Sequence, residues 1–364
     1  MLLLCGDLTS KGDLASYREC TKYLVNALNI GGDWTENTIH IVPGNHDIDR
    51  MSCDPSGIDL SVKFKPLAEV WNSYSLPILT TGGVRTTLVR AGKCQVDVYS
   101  LNSCVGCGEM RSLPDKIAIE LDAVLKKYAK SAVPSDAFEI LGEQLDTPAF
   151  AHEDIETLAA SLGSLSGNSL PIVLAHHNIL PQSLLRLAIY TEVINAGAVR
   201  TRLVACKRPI IYCHGHIHTD AIEQITSPRT LGGTITAISA PPILVGFNLI
   251  EIAFSREHTP IGCTIVSHRI QDHGGVEVTE RVRIPLVSAA SAFSISDKVL
   301  ERALSLLTKA PERVSELRKK LNTSASRPLS VAEIIQILLE AEWMCLVIFT
   351  SQVGKPETWH VSRR

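Results

Sequence analysis

Four apolar runs in this chain each stop abruptly in a cluster of Gly, Asp, Asn or His. Met1 to Cys5 gives way to Gly6-Asp7-Leu8-Thr9, and Thr38 to Val42 gives way, through Pro43, to Gly44-Asn45-His46-Asp47. Pro171 to Ala175 ends at His176-His177, and Pro209 to Cys213 at His214-Gly215-His216-Ile217-His218. Short apolar runs bounded by turn residues read as buried strands. In an open α/β sheet, chemistry collects outside the carboxyl ends of such strands. Four polar clusters so placed point to one shared site, and their oxygen and imidazole donors suit divalent cations.

Between the first two runs, Leu14 to Leu28 has helical spacing, with Leu14, Tyr17, Leu24 and Leu28 apolar. Strand, helix and strand then form a βαβ unit. From Asp49 to about Leu170 the pattern predicts strands at Val84 to Val89 and Gln95 to Leu101. It also predicts helices within Asp115 to Lys130 and Glu153 to Leu162, so the interval reads as core strands plus an inserted cap. Pro181 to Leu203 reads as mostly helical. Beyond His218, strands are expected at Ala221 to Ile225, Thr234 to Ser239, Phe247 to Phe254, Cys263 to Arg269 and Val276 to Ile284, forming a second, largely antiparallel sheet. Helices follow at Asp297 to Thr308, Glu312 to Leu321 and Val331 to Phe349, with a polar turn at Asn322 to Pro328. The last helix opens on a Ser330/Glu333 capping box. It is apolar on more than one face, which calls for packing partners. The expected architecture is α/β, two sheets flanked by helices, with a main domain at 1–288 that includes a cap within about 49–170. A helical extension follows at 289–364.

A chain of 364 residues can bury a large core without disulfides. A net charge of −3 argues against a protein that grips nucleic acid through bulk electrostatics, although nucleic acid held locally as a substrate stays possible. The ten cysteines are scattered singly apart from Cys104-Val105-Gly106-Cys107, which fits a reducing compartment and a cytoplasmic protein. That CxxC lacks a second pair at zinc-knuckle spacing and reads as free thiols. The most apolar late stretch, Trp343 to Thr350, is far short of the ~20 residues that span a bilayer, so no membrane association is expected.

A carboxylate after Gly at a strand end, Asp7, can bridge two cations about 3.5 to 4 Å apart. In Gly44-Asn45-His46-Asp47 the glycine permits a turn, Asn45 offers a carbonyl oxygen, and Asp47 can orient His46 as an acid. His216 and His218, as alternate residues of an extended segment, would face the same way. Mn, Fe, Zn, Ni and Co all suit these donors.

In this order the motifs resemble the calcineurin-like metallophosphoesterases, whose blocks run D-x-H, G-D, G-N-H-D/E, H and G-H-x-H. The resemblance covers roughly residues 1 to 285. It implies the metallophosphoesterase sandwich and two divalent metal ions. Asp7 would bridge both metals, Asn45, His176 and His216 would complete the second, and His218 would join the first. It further implies His46 as proton donor, Asp47 orienting it, and in-line attack on phosphorus by a metal-bridging hydroxide. The D-x-H block has no counterpart among the six residues before Asp7. A leading strand lost from the chain is the expectation, and full activity is in doubt without it. Gly6-Asp7 is not followed by the Asp-Arg of the serine/threonine protein phosphatases, so the phosphodiesterase-like branch is favoured. The expected function is hydrolysis of a phosphodiester or phosphomonoester, with a small phosphate ester or nucleotide as substrate. The alternative is a non-catalytic scaffold of the same fold that binds a protein, or itself, through its C-terminal helices.

Overall fold

Two short parallel strands carry the first two clusters. β1 (Leu2–Leu4) and β2 (Ile39–Ile41) pair with Leu2 opposite Ile39 and Leu4 opposite Ile41, and α1 (Leu14–Leu28) lies between them in the chain. This is the expected βαβ unit. The helix buries Tyr17, Thr21 and Leu24, one stripe at i, i+4 and i+7. That stripe packs on Ile39 and Ile41 and on Phe64, Leu67 and Trp71, the last two belonging to α2 (Lys65–Asn72). The computed structural model describes residues 1–10, 12–28, 38–53, 59–76, 78–108, 115–129, 146–180, 192–218, 221–226, 233–286, 298–323 and 327–364.

The central sheet has six strands: β3 (Val84–Ala91), β4 (Cys94–Leu101), β5 (Ser169–Leu174), β6 (Pro209–His214), β7 (Ile222–Thr226) and β8 (Thr234–Ser239). Their order is β3-β4-β5-β6-β8-β7, with β4, β5, β6 and β8 mutually parallel and the two edge strands antiparallel. β5 is buried at every position, as expected of a parallel strand covered on both faces. Helix α3 (Asp115–Ala129) precedes α4 (His152–Ser164) in the chain. On one face of the sheet α4 and α5 (Ala196–Ala205) bring Ile155, Leu158, Leu162, Val199 and Leu203 against Tyr99, Val173 and Tyr212. On the other face Val98, Ile172 and Ile211 meet Cys263, Ile265 and Ile284. Those three come from a second sheet, β9 (Gly246–Phe254), β10 (Pro260–Ile270) and β11 (Val276–Pro285), antiparallel in the order β11-β10-β9. The two-sheet sandwich flanked by helices is therefore present, and Leu3, Cys5 and Val42 pack into its inner core.

One expectation about the sheets is corrected. Of the five strands after His218, only the last three form the second sheet, because β7 and β8 extend the first. β8 runs parallel to β6 with Ile210 opposite Ile235. Thr236 and Ser239 are fully buried, and only Thr234 at the start of the strand is half-buried. Of the expected helix at Pro181 to Leu203, residues 181–191 lie outside the described residues, as do 324–326 of the turn at Asn322 to Pro328.

The C-terminal region interleaves helices with short strands. It comprises α6 (Lys298–Leu306), β12 (Glu312–Arg313), α7 (Val314–Asn322), α8 (Val331–Trp343), β13 (Val347–Ser351) and β14 (His360–Arg363), the strands ordered β12-β14-β13. Helix α8 stops at Trp343 instead of continuing to Phe349: Cys345 adopts φ 57° and Val347 begins a strand, the state β-branched residues favour. Both apolar faces of α8 find partners. Ile334, Ile337 and Leu338 belong to one cluster with Leu304 of α6, Leu317 of α7 and Ile261 of β10. Arg283 lies 4.9 Å over the Trp343 ring, and the pairs Arg256–Glu340 (3.0 Å) and Arg283–Glu342 (3.2 Å) tie the helix to β11 and to the turn after β9. Among the described residues no helix is long and apolar enough to cross a membrane.

Candidate metal centre

Glycine makes the close approach of the first two loops possible. Gly6 leaves β1 at φ 92°, and a Cβ there would overlap His176 Nδ1 and the Gly44 backbone. A Cβ on Gly44 would overlap the carboxylate and amide of Asp7. Asp7 itself takes φ 55°, a left-handed conformation that Asp tolerates better than most residues. The fully buried carboxylate of Asp47 then stitches the loops together. Its Oδ1 accepts from Leu8 N (2.9 Å), Thr9 N (3.1 Å) and the Tyr17 hydroxyl (3.0 Å), and its Oδ2 from Gly44 N (2.9 Å). Burial, and then the neighbouring Asp7, push the Asp47 carboxyl up to about 6.

Four groups meet at the centre. Asp7 Oδ1 accepts from His46 N at 3.1 Å, while Oδ2 lies 3.3 Å from His176 Nε2. His176 Nδ1 sits 2.6 Å from the Cys5 carbonyl. A carbonyl only accepts, so Nδ1 carries a proton, and Nε2 faces the centre, toward Asp7 and Asn45. Asn45 donates its Nδ2 to Asp146 Oδ2 at 3.2 Å, which aims its Oδ1 inward, 3.1 Å from His176 Nε2 and 3.1 Å from His216 Nδ1. A carboxylate, a carbonyl and two imidazoles thus converge their electron pairs on a small buried volume.

Such a convergence needs positive charge. Burial opposes a charge on His176, but Asp7 beside it raises its proton affinity above the ordinary histidine value. Burial likewise disfavours ionised Asp7, yet His176 and His46 outweigh it and hold its carboxyl below the usual range. A cation would supply the same neutralisation. His216 is pushed down to about 3 by burial and then by His176, so it stands neutral, the form that ligates metals. His214 is pushed down to about 4 by burial, and its Nδ1 lies 3.1 Å from Gly215 O. These donors fit a borderline-to-hard divalent ion.

The structure brings Asp7, Asn45, His176 and His216 together. The ligand atoms of His176, His177 and His216 lie within 4.8 Å of one another, and His218 stands outside that group, exposed. The segment is not the extended one expected, since His216 (φ 63°) and His218 (φ 56°) both take left-handed conformations. His46 is half-buried with its backbone fixed on Asp7. The oxygens of Asp47 take the loop-to-loop bonds from Leu8, Thr9 and Gly44. Motif reading missed Asp146, Arg50 and Tyr17. Asp146 receives Arg50 in a buried pair, with Nη1 and Nη2 each 2.8 Å from a carboxylate oxygen. Arg50 follows Asp47 by three residues and could have been suspected, whereas Asp146 lies in no motif.

Over 49 residues, 14% of this chain and 10% of the relative, the sequence is 45% identical to YydB, an uncharacterized metallophosphoesterase-like protein of Bacillus subtilis (strain 168). Among solved structures, a Staphylococcus aureus chain described as a candidate 5'-nucleotidase, in complex with alpha-ketoglutarate, aligns at a TM-score of 0.31 and 11% identity. That alignment covers 91% of this chain and 48% of that one. GAP50, the anchor in the inner membrane complex of Plasmodium, aligns at a TM-score of 0.30 and 10% identity, over 60% of each chain. The chain thus spans a tenth of the curated relative and about half of the first of these structures. The profile of the calcineurin-like phosphoesterases matches residues 1–220, and the chain belongs to that family.

Proposed function

We propose that this chain is a metal-dependent phosphoesterase that hydrolyses a phosphodiester or phosphomonoester, with a small phosphate ester or nucleotide as substrate. The carrying observation is the meeting of Asp7 Oδ2, Asn45 Oδ1, His176 Nε2 and His216 Nδ1 at contacts of 3.1 to 3.3 Å. Two divalent ions are assigned to the site. Asp7, Asn45, His176 and His216 would hold one, and His218, with Asp7, would hold the other. Cations held there would neutralise phosphoryl oxygens and lower the pKa of water. His46, anchored through its backbone to Asp7, gives its ring proton to the leaving oxygen, and Asp47 holds the two loops in register for that transfer. Residues 1–288 form the phosphoesterase unit and 289–364 the extension, in a cytoplasmic protein.

The test is hydrolysis of bis(p-nitrophenyl) phosphate, p-nitrophenyl phosphate and natural nucleotides with manganese present. No turnover of any of them would sink the proposal. His46→Ala should lower turnover by about 10² to 10⁴ with bound metal retained. If metal leaves with the ring, His46 is a ligand and not the acid. Asp7→Ala should empty the site, and unchanged metal content would refute its assigned role.

A further inference from the structure

A second cluster of ligating side chains lies beside the first, with His177 standing next to both. The sulfurs of Cys104 and Cys107 and a ring nitrogen of His177 lie within 4.8 Å of one another, and all three residues are buried. Both cysteines are free thiols, with Cys104 Sγ 3.3 Å from Pro43 O and 3.8 Å from His177 Nδ1. The turn that carries them is pinned from several directions. Cys107 N donates to Cys104 O (3.0 Å), Cys104 N to Asn102 Oδ1 (2.8 Å), and Gly108 N to Asp146 Oδ1 (2.9 Å). The ammonium of Lys63, a residue only 1% exposed, gives 2.7 Å bonds to both Val105 O and Cys107 O. Burying a lysine is expensive unless its charge is well used. In this turn it holds two thiols side by side on a rigid backbone, the device by which a CxxC presents sulfur to zinc.

We propose that Cys104, Cys107 and His177 form a separate site for one thiophilic divalent cation of the zinc class. On binding, each thiol releases its proton to solvent and its sulfur bonds the cation, while His177 contributes a neutral nitrogen. Two thiolates cancel the double charge, so the buried cluster stays neutral. Three protein ligands leave one position for solvent. The bound ion ties the turn after β4 to the end of β5, directly behind His176. The phosphoesterase centre draws on no sulfur ligand, so a thiolate signature reports on this site alone and does not depend on turnover.

The experiment uses the full chain, stripped of metal under reductant and titrated with cobalt(II), then with zinc. Wild type should develop a near-ultraviolet thiolate-to-cobalt charge-transfer band that saturates at one equivalent and is discharged by zinc. Cys104→Ser/Cys107→Ser should lose the band and one zinc per chain, whereas Cys213→Ser, at another buried thiol, should keep both. X-ray absorption of zinc-loaded wild type needs no variant and should find sulfur neighbours at about 2.3 Å. A zinc shell of nitrogen and oxygen only, no charge-transfer band in wild type, or a band that survives loss of both cysteines would each overturn the assignment.

Discussion

Replacing Asp146 by Asn tests whether the centre depends on a residue that holds no metal itself. The carboxylate takes two 2.8 Å bonds from Arg50, one from Asn45 Nδ2 and one from Gly108 N, and the side chains of the ion pair are only 4% and 8% exposed. Asp146→Asn removes one charge of this buried pair, and breaking such a pair costs about 3–5 kcal/mol. Set against a typical total of roughly 5–15 kcal/mol, that is a large share. At roughly 2 °C per kcal/mol for a large domain, the melting temperature should fall by roughly 6–10 °C. The new amide also no longer fixes which end of Asn45 faces the centre. Loss of a group that orients a ligand lowers metal affinity by about 10- to 100-fold. Thermal unfolding by circular dichroism and calorimetric titration with manganese measure the two effects. Arg50→Met/Asp146→Leu, which removes both charges, should recover much of the stability but not the affinity. If Asp146→Asn melts with wild type and binds manganese as tightly, Asp146 does not position Asn45.

Gly44→Ala adds a Cβ where the Asp7 carboxylate and amide stand, so it should displace Asp7, abolish metal binding and destabilise by about 1–3 kcal/mol; undiminished manganese binding would contradict this. His40 is buried, neither ring nitrogen has a hydrogen-bond partner among the described residues, and burial, then Arg85, push it down to about 4 from an ordinary value near 6.5. The unfolded chain therefore binds the extra proton, and stability should fall by about 2 kcal/mol between pH 7 and pH 5. His40→Leu should flatten that part of the urea-midpoint profile, and parallel profiles would count against it. Ser330 Oγ accepts from Glu333 N at 3.2 Å while Glu333 Oε2 accepts from Ser330 N at 2.8 Å, so Ser330→Ala should cost about 1 kcal/mol at α8. An unchanged unfolding midpoint would mean the cap adds nothing.

The local parts of this molecule were legible as a string. The apolar run of β5 ends at His176, the spacing of Leu14 to Leu28 is that of α1, and Ser330/Glu333 announces the start of α8. Each depends on backbone periodicity and neighbouring residues, which sequence records directly. The ligand types at the ends of four strands were readable for the same reason. What needed the fold were relations between distant residues. Asn45 meets Asp146 across 101 positions, His176 across 131 and His216 across 171. The path of the chain also decides that β8 joins β6, that left-handed turns separate His218 from His216, and that Cys104 and Cys107 reach His177. Periodicity says which face of a segment is apolar and where the segment ends. Which buried donor finds which acceptor is a property of the packed whole, because each partner's position is set by the strands and helices that carry it.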